Sequence, residues 1–178
     1  MLLTAHQLHH TYSGTQTPVQ ALRGVDLQLE EGSFTALMGP SGCGKSTLLN
    51  LTAGLLKPLS GTVVFDGKHL TGINRDVGYM TQGDTLLPWL TVEKNVVLPL
   101  ELRGAPIEQR HQKLASALQL VNLTQAAKKF PSELSGGMKR RALLARSLIY
   151  EPPMILMDEP FAALDAHPHR LTVQWVHA

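Results

Sequence analysis

Eight consecutive residues, Gly39-Pro40-Ser41-Gly42-Cys43-Gly44-Lys45-Ser46, leave this chain few folds to choose from. They match the spacing G-x-x-x-x-G-K-[ST]. In front stands a short apolar run, Phe34-Thr35-Ala36-Leu37-Met38. Behind stands a helical pattern from residue 45 to about 53, with Leu48, Leu49 and Leu51. Strand, Gly-rich loop and helix in that order make a phosphate cradle. Glycines are required because backbone N–H groups must close round phosphate oxygens, leaving no room for side chains. The helix start adds a fixed positive dipole. Lys45 would reach the β- and γ-phosphates and Ser46 would ligate Mg²⁺. A plain Gly-rich turn is the alternative, and the flanking strand and helix patterns weigh against it.

The rest of the sequence fits an α/β chain of this kind. Its 178 residues, 43% hydrophobic and 17% charged, suit one domain with at most a small subdomain. A formal charge of +2 gives no electrostatic reason to expect nucleic acid. The one cysteine, Cys43, excludes an internal disulfide and a Cys-based structural zinc. No apolar run approaches the roughly 18 residues that span a bilayer. Met1-Leu2-Leu3-Thr4-Ala5-His6 lacks the basic and apolar regions of an export signal. Strands are expected at about 2–9, 25–30, 34–38, 62–65 and 77–80, with a tight turn at Asp66-Gly67. Helices are expected from Glu93 to about Leu102 with Thr91 as N-cap and an interruption at Pro99. Two more are expected from Pro106, with Leu114, Leu118 and Val121 on one face, and from Ser135 to about Tyr150. Residues 154–157 read as a buried strand. The expected layout is a β-rich nucleotide core at 1–84 and 151–178, with a helical insert at 85–150.

A phosphate loop does not specify a reaction. Asp158-Glu159, at the end of the run Met154-Ile155-Leu156-Met157, supplies two acids at a buried strand end. Asp158 can hold Mg²⁺ through water, and Glu159 can orient or deprotonate an attacking water. Read alone, the pair is also what a solvated turn carries. Gln82, just after the strand at 77–80, would touch Mg²⁺ or that water. Leu134-Ser135-Gly136-Gly137 opens a helix, with Ser135 as its N-cap.

Together and in this order, these residues resemble the ATP-binding subunit of ABC transporters, over nearly the whole chain from residue 2 to 166. Residues 39–47 resemble its Walker A motif, Gln82 its Q-loop, and 134–138 its signature, with Met138 where glutamine is commoner. Residues 154–159 resemble Walker B, and Ala163-Leu164-Asp165 the D-loop. The resemblance implies a P-loop NTPase core with an antiparallel β subdomain and a helical signature subdomain. It implies ATP and Mg²⁺ as cofactors: Gly39, Pro40, Ser41, Gly42, Cys43, Gly44, Lys45, Ser46 and Thr47 on the nucleotide, Ser46, Gln82 and Asp158 on Mg²⁺, and Glu159 and Gln82 in catalysis. Tyr12 would stack on the adenine, or is simply a half-exposed strand aromatic. Two subunits would pair head to tail, Ser135, Gly136 and Gly137 of one closing on the nucleotide of the other, with Asp165 in the D-loop.

Leu86-Leu87-Pro88-Trp89-Leu90-Thr91-Val92, followed by Asn95-Val96 and Pro99-Leu100, is similar to the importer ATPases for nitrate, sulfonate and taurine. That similarity implies a permease docking near residues 82–102, an indirect periplasmic or extracellular solute-binding partner, no nucleic acid, and a peripheral place on the cytoplasmic face of the inner membrane. The other reading of the segment is a loop anchored by a core tryptophan. The paired histidines His9-His10 and His167/His169 read as solvated surface rather than metal ligands, and so does Lys139-Arg140-Arg141. Only 19 residues follow Glu159 (178 − 159), and the tail 167–176 departs from the family pattern, so the switch histidine of the family has no counterpart. The expectation is a truncated or frame-shifted product that binds ATP better than it turns it over. A hydrolysis-deficient binding or regulatory fragment is the second reading. A soluble ATPase of repair or translation is the third, disfavoured by Leu87-Pro88-Trp89.

Overall fold

A computed structural model describes residues 1–14 and 17–159. The chain divides into two compact units, Met1–Val77 and a second beginning at Gly78.

In the first unit, β1 (Leu3–Tyr12), β2 (Val19–Leu29), β3 (Ser60–Phe65) and β4 (Lys68–His69) form a four-stranded sheet in the order β2-β1-β3-β4. β1 runs antiparallel to both neighbours, from Leu3↔Leu29 to Tyr12↔Val19 on one side and from Leu3↔Phe65 to His9↔Ser60 on the other. Leu3, Ala5 and Leu8 are buried. Strict alternation would put Leu8 on the opposite face from Ala5. A bulge between them, with Gln7 at φ 47°, inserts the extra residue that returns Leu8 to the core. Asp26 fixes that bulge by accepting the Gln7 N–H at 2.8 Å. Val25, Leu27 and Leu29 are half-buried and alternate with exposed Asp26, Gln28 and Glu30, as the period-2 pattern predicts. Asp66 and Gly67 both have positive φ (48° and 72°), the geometry of the expected tight turn. The helix α1 (Lys45–Thr52) buries Leu48 and Leu51.

Residues 34–38 depart from the expected strand. They form no ladder among the described residues, and Phe34 and Met38 are 74% and 92% exposed. A buried strand must have partners for its backbone N–H and C=O groups, and none is supplied here.

The second unit pairs β5 (Val77–Met80) with β6 (Met154–Met157) and surrounds one apolar cluster with α2 (Val92–Leu102), α3 (Ile107–Leu120) and α4 (Gly136–Leu148). Val92, Val96 and Leu100 of α2, Leu118 of α3 and Ala142 and Leu143 of α4 recur at helical spacing and are buried together. Val121 joins the same cluster and Leu114 packs at its edge, as expected. Pro99 does not interrupt α2, which continues to Leu102. A proline costs one backbone hydrogen bond, and the buried face on either side of it holds the helix together. Thr91 occupies the N-cap position, but its side chain makes no cap bond and its buried hydroxyl has no partner among the described residues. Among the described residues, no helix is long and apolar enough to cross a membrane.

Candidate functional site

In the first unit the phosphate loop is shaped by its glycines. Gly44 caps α1 at φ 101°, and a Cβ there would lie 2.6 Å from the Ala21 carbonyl oxygen of β2. Only glycine has both the backbone freedom and the absent side chain that this approach needs. Gly42 has φ 81°. Pro40, Ser41 and Cys43 are exposed, so the loop faces outward. The Lys45 ammonium donates to the carbonyls of Gly39 at 2.8 Å and Pro40 at 2.9 Å, which holds the cation over the loop. Ser46 is exposed on the first turn of α1, and Thr47 behind it is buried. Tyr12, 43% exposed, meets the Thr47 hydroxyl at 3.2 Å and packs edge-on to His10 with ring centroids 4.8 Å apart. β1 thus brings its aromatic to the loop. A cleft of about 360 Å³ beside the loop is lined by Gln20, Leu22, Arg23 and Val25 of β2 and by Gly42 and Cys43.

The second unit gathers the other candidates. Gln82 follows β5 and Glu159 follows β6, and the Gln82 amide donates to a Glu159 carboxylate oxygen at 2.7 Å. Both side chains are exposed. Asp158, one residue earlier, is buried, and its N–H donates to the Met80 carbonyl at 2.9 Å, continuing the pairing of the two strands. Just beyond β6, Asp158 is buried and Glu159 exposed, so the neighbouring acids meet different environments, which suits two roles rather than one. Ser135 caps α4, its hydroxyl accepting the Met138 N–H at 3.3 Å. Ser135 and Gly136 are exposed and Gly137 half-buried, so this helix start faces outward. Asp165 lies outside the described residues.

One reading is corrected. Lys139, Arg140 and Arg141 are not a solvated face. Lys139 pairs with Asp84 at 2.9 Å, and Arg141 donates to the Val121 carbonyl at 2.9 Å. Arg140 is only 8% exposed, and its guanidinium donates to the carbonyls of Thr81, Gln82, Asp158 and Glu159 at 2.8, 3.0, 2.9 and 2.6 Å. Burial pushes its pKa down, and the charges of Asp158 and Glu159 oppose that. The signal was in the sequence: Leu143 and Ser147 stand three and seven residues on, both buried, so Arg140 shares the inward stripe of α4.

In the segment after Gln82 the core-tryptophan reading is overturned. Trp89 is 69% exposed, not an anchor in the core. The anchor is Asn95, fully buried. It accepts the Leu87 N–H at 2.7 Å and donates to the carbonyls of Leu87, Leu90 and Thr91 at 3.0 to 3.1 Å. Polar sequence offered no hint of this, because an asparagine on an apolar helix face looks like any solvated residue.

The Ser46 hydroxyl, the Asp158 carboxylate and the amide oxygen of Gln82 are all hard oxygen donors, the chemistry Mg²⁺ prefers. Among the described residues no three His, Cys, Asp or Glu gather as a metal cluster. What the chain offers is a few single oxygen ligands, which fits an ion carried in by phosphates.

These elements define an α/β cassette of the P-loop type. The chain belongs to the ABC transporter family, whose model matches residues 22–162. It is 43% identical over 165 residues to the nitrate import ATP-binding protein NrtD of Synechocystis, covering 93% of this chain and 62% of that one. It is 39% identical over 166 residues to the aliphatic sulfonates import ATP-binding protein SsuB of Bacillus thuringiensis, covering 93% and 65%. To the bicarbonate transport ATP-binding protein CmpC of Synechococcus elongatus it is 48% identical over 148 residues, covering 82% and 22%. The chain therefore spans less than two thirds of the length of these relatives. Among solved structures, it resembles the ATP-binding cassette MJ0796 in a dimeric post-hydrolysis state bound to ADP and Pi. The TM-score is 0.85 and the identity 36%, over 93% of this chain and 77% of that one.

Proposed function

We propose that the chain is the ATP-binding subunit of an importer for a small anion or sulfonate-like solute. It would couple ATP binding and hydrolysis, in a head-to-tail pair, to transport. The observation that carries this is the contact of Gln82 with Glu159 at the ends of β5 and β6, 2.7 Å apart. Glu159 serves as the group that orients the attacking water and accepts its proton, with Gln82 holding the carboxylate in place. Lys45 exchanges its loop carbonyls for β- and γ-phosphate oxygens, and the loop N–H groups close on the same phosphates. Tyr12, exposed beside Thr47 of α1, offers its ring to the adenine. Ser46, Asp158 and Gln82 hold Mg²⁺, which supplies charge neutralisation at the phosphates. Ser135, Gly136 and Gly137, at an outward-facing helix start, suit the phosphates of a second copy's nucleotide, and Asp165 the D-loop contact between copies.

The solute class rests on the relatives, whose names print nitrate, aliphatic sulfonates and bicarbonate. Exposed Trp89 on the Asn95-held loop supports a permease contact, and in this reading the subunit is peripheral at the cytoplasmic face of the inner membrane. A solute-binding protein would act on the far side.

The test is ATP affinity and phosphate release measured side by side. Glu159→Gln is expected to lower turnover by about 100-fold or more while ATP affinity stays within a few-fold. Undiminished turnover in that variant removes Glu159 from the chemistry. ATP binding by the wild type without turnover favours the binding-only reading. Co-purification of the subunit with a permease that imports nitrate, bicarbonate or an alkanesulfonate tests the transport assignment.

A further inference from the structure

The side chains of Gln82 and Glu159 are exposed, so packing does not hold them. What lies beneath them is a single cation. The Arg140 guanidinium takes the carbonyls of Thr81 and Gln82 with one nitrogen and those of Asp158 and Glu159 with the other. It therefore ties together the backbone just beyond β5 and just beyond β6, at the two residues whose side chains meet. Glu159 has φ 48°, a conformation that a non-glycine residue holds only when its surroundings fix it. The bond from Arg140 to the Glu159 carbonyl, at 2.6 Å, is the shortest of the four.

Two further cations of α4 extend the strap along the same loop. Lys139 pairs with Asp84 at 2.9 Å. Arg146, seven residues on and so on the same helix face, donates to the Thr85 carbonyl at 2.8 Å and hydroxyl at 2.7 Å. Residues 81, 82, 84 and 85 are thus all held by the helix that Ser135 caps.

We propose that Arg140 is the positioning residue for the pair of Gln82 and Glu159, through which the signature-bearing helix α4 sets the geometry of the hydrolytic groups. The proposal rests on the reading that Gln82 and Glu159 serve ATP hydrolysis. A shift of α4 moves both backbone segments at once, because both hang from one rigid planar group. Lysine cannot replace it: an ammonium is a point donor and does not span two segments with a fork.

The experiment compares the wild-type full chain with Arg140→Lys in three measurements: ATP affinity, turnover, and amide exchange over residues 81–86. The expected result is kcat lower by about 100-fold, as for a misplacement of the reacting groups by an ångström, with ATP affinity and KM within a few-fold. Exchange over 81–86 rises by about 10-fold, while amides of α2 and α3 keep their protection. A kcat equal to wild type overturns the proposal. So does an equal loss of ATP affinity and turnover, which would mark Arg140 as a structural residue only. If the wild type does not turn over ATP, the hydrolytic reading fails by itself. Exchange over 81–86 then decides the strap: unchanged protection in Arg140→Lys overturns it, and a rise confined to that segment upholds it.

Discussion

Residues 34–38 and 154–157 are both short apolar runs that lead straight into a functional loop, yet only one is a strand. Met154 and Leu156 are buried at 8% and 6% exposure, beside β5. Phe34 and Met38 stand at 74% and 92% exposure with no ladder among the described residues. Both runs are short and mostly apolar, five residues in one and four in the other, with Thr35 as the single polar side chain. What differs is a neighbour for the backbone, which sequence pattern does not report. The loops that follow are accordingly built in different ways. The loop after residue 38 is held by its own parts, through glycine geometry and the Lys45 bonds to Gly39 and Pro40. Glu159 is held from outside, by the β5 and β6 pairing and by Arg140.

The largest expected effect separates these two runs directly. Leu156→Ala removes buried methyl groups from a paired strand and is expected to cost about 2–4 kcal/mol. Met38→Ser, at an exposed unpaired position, is expected to stay within about 0.5 kcal/mol. Urea unfolding of each variant checks this. Similar losses at both positions would mean that residues 34–38 are packed in solution, and would break the comparison.

Legibility in the sequence followed how local each feature is. Octapeptide spacing, the Asp66-Gly67 turn, the Ser135 cap and the limits of β5 and β6 depend on neighbours within a few residues. They were readable as such. Gln82 and Glu159 are 77 residues apart, and only family resemblance put them in one site; the 2.7 Å contact is a product of strand pairing. Arg140 and Asn95 were missed for a shared reason. Each is a polar residue on a buried helix stripe, satisfied by backbone carbonyls from distant segments, and composition counts such residues as surface. Thr91 failed in the opposite sense: its type and place fitted a cap, but its hydroxyl took no part.

Thr91 and Asn95, one helical turn apart at the start of α2, offer a smaller and sharper contrast. Both are shielded polar groups. Asn95 has every polar atom satisfied, whereas the Thr91 hydroxyl has no partner among the described residues. Leaving the N–H and carbonyls around Asn95 unpaired is expensive, so Asn95→Ala is expected to cost about 2–3 kcal/mol. It should also loosen the loop that presents Trp89, seen as a change in tryptophan fluorescence. Thr91→Val keeps the shape and removes an unpaired hydroxyl. It is expected to be neutral or to stabilise by up to about 1 kcal/mol. A destabilised Thr91→Val would show that the hydroxyl finds a partner in solution, and the contrast would vanish.

The smallest effect compares two charges, each bound to the backbone. Asp26 lies open on β2, and its pKa is lowered from 3.8, chiefly by the Gln7 N–H it accepts; desolvation opposes this as the next largest influence, and the Gln7 and His6 side chains add to the lowering. Arg140 is buried, and desolvation is the main influence on it. The signs lead to different pH behaviour. An acid with a depressed folded pKa contributes stability that is complete above its unfolded value of about 3.9. That contribution fades as pH falls through the lower folded value. The part of the stability difference between wild type and Asp26→Asn that comes from this carboxylate is therefore expected to be complete at about pH 5 and to shrink below about pH 4. Arginine stays protonated in folded and unfolded chains across that whole window, so the cost of burying Arg140 adds no slope there. Urea midpoints of wild type, Asp26→Asn and Arg140→Lys across this range test both halves. A difference for Asp26→Asn that grows as pH falls below about 5 would reverse the sign and remove Asp26 as the brace of the Gln7 bulge. A slope for Arg140→Lys between pH 5 and 8 would mean that some other titrating group, and not the carbonyls of four residues, answers to the guanidinium.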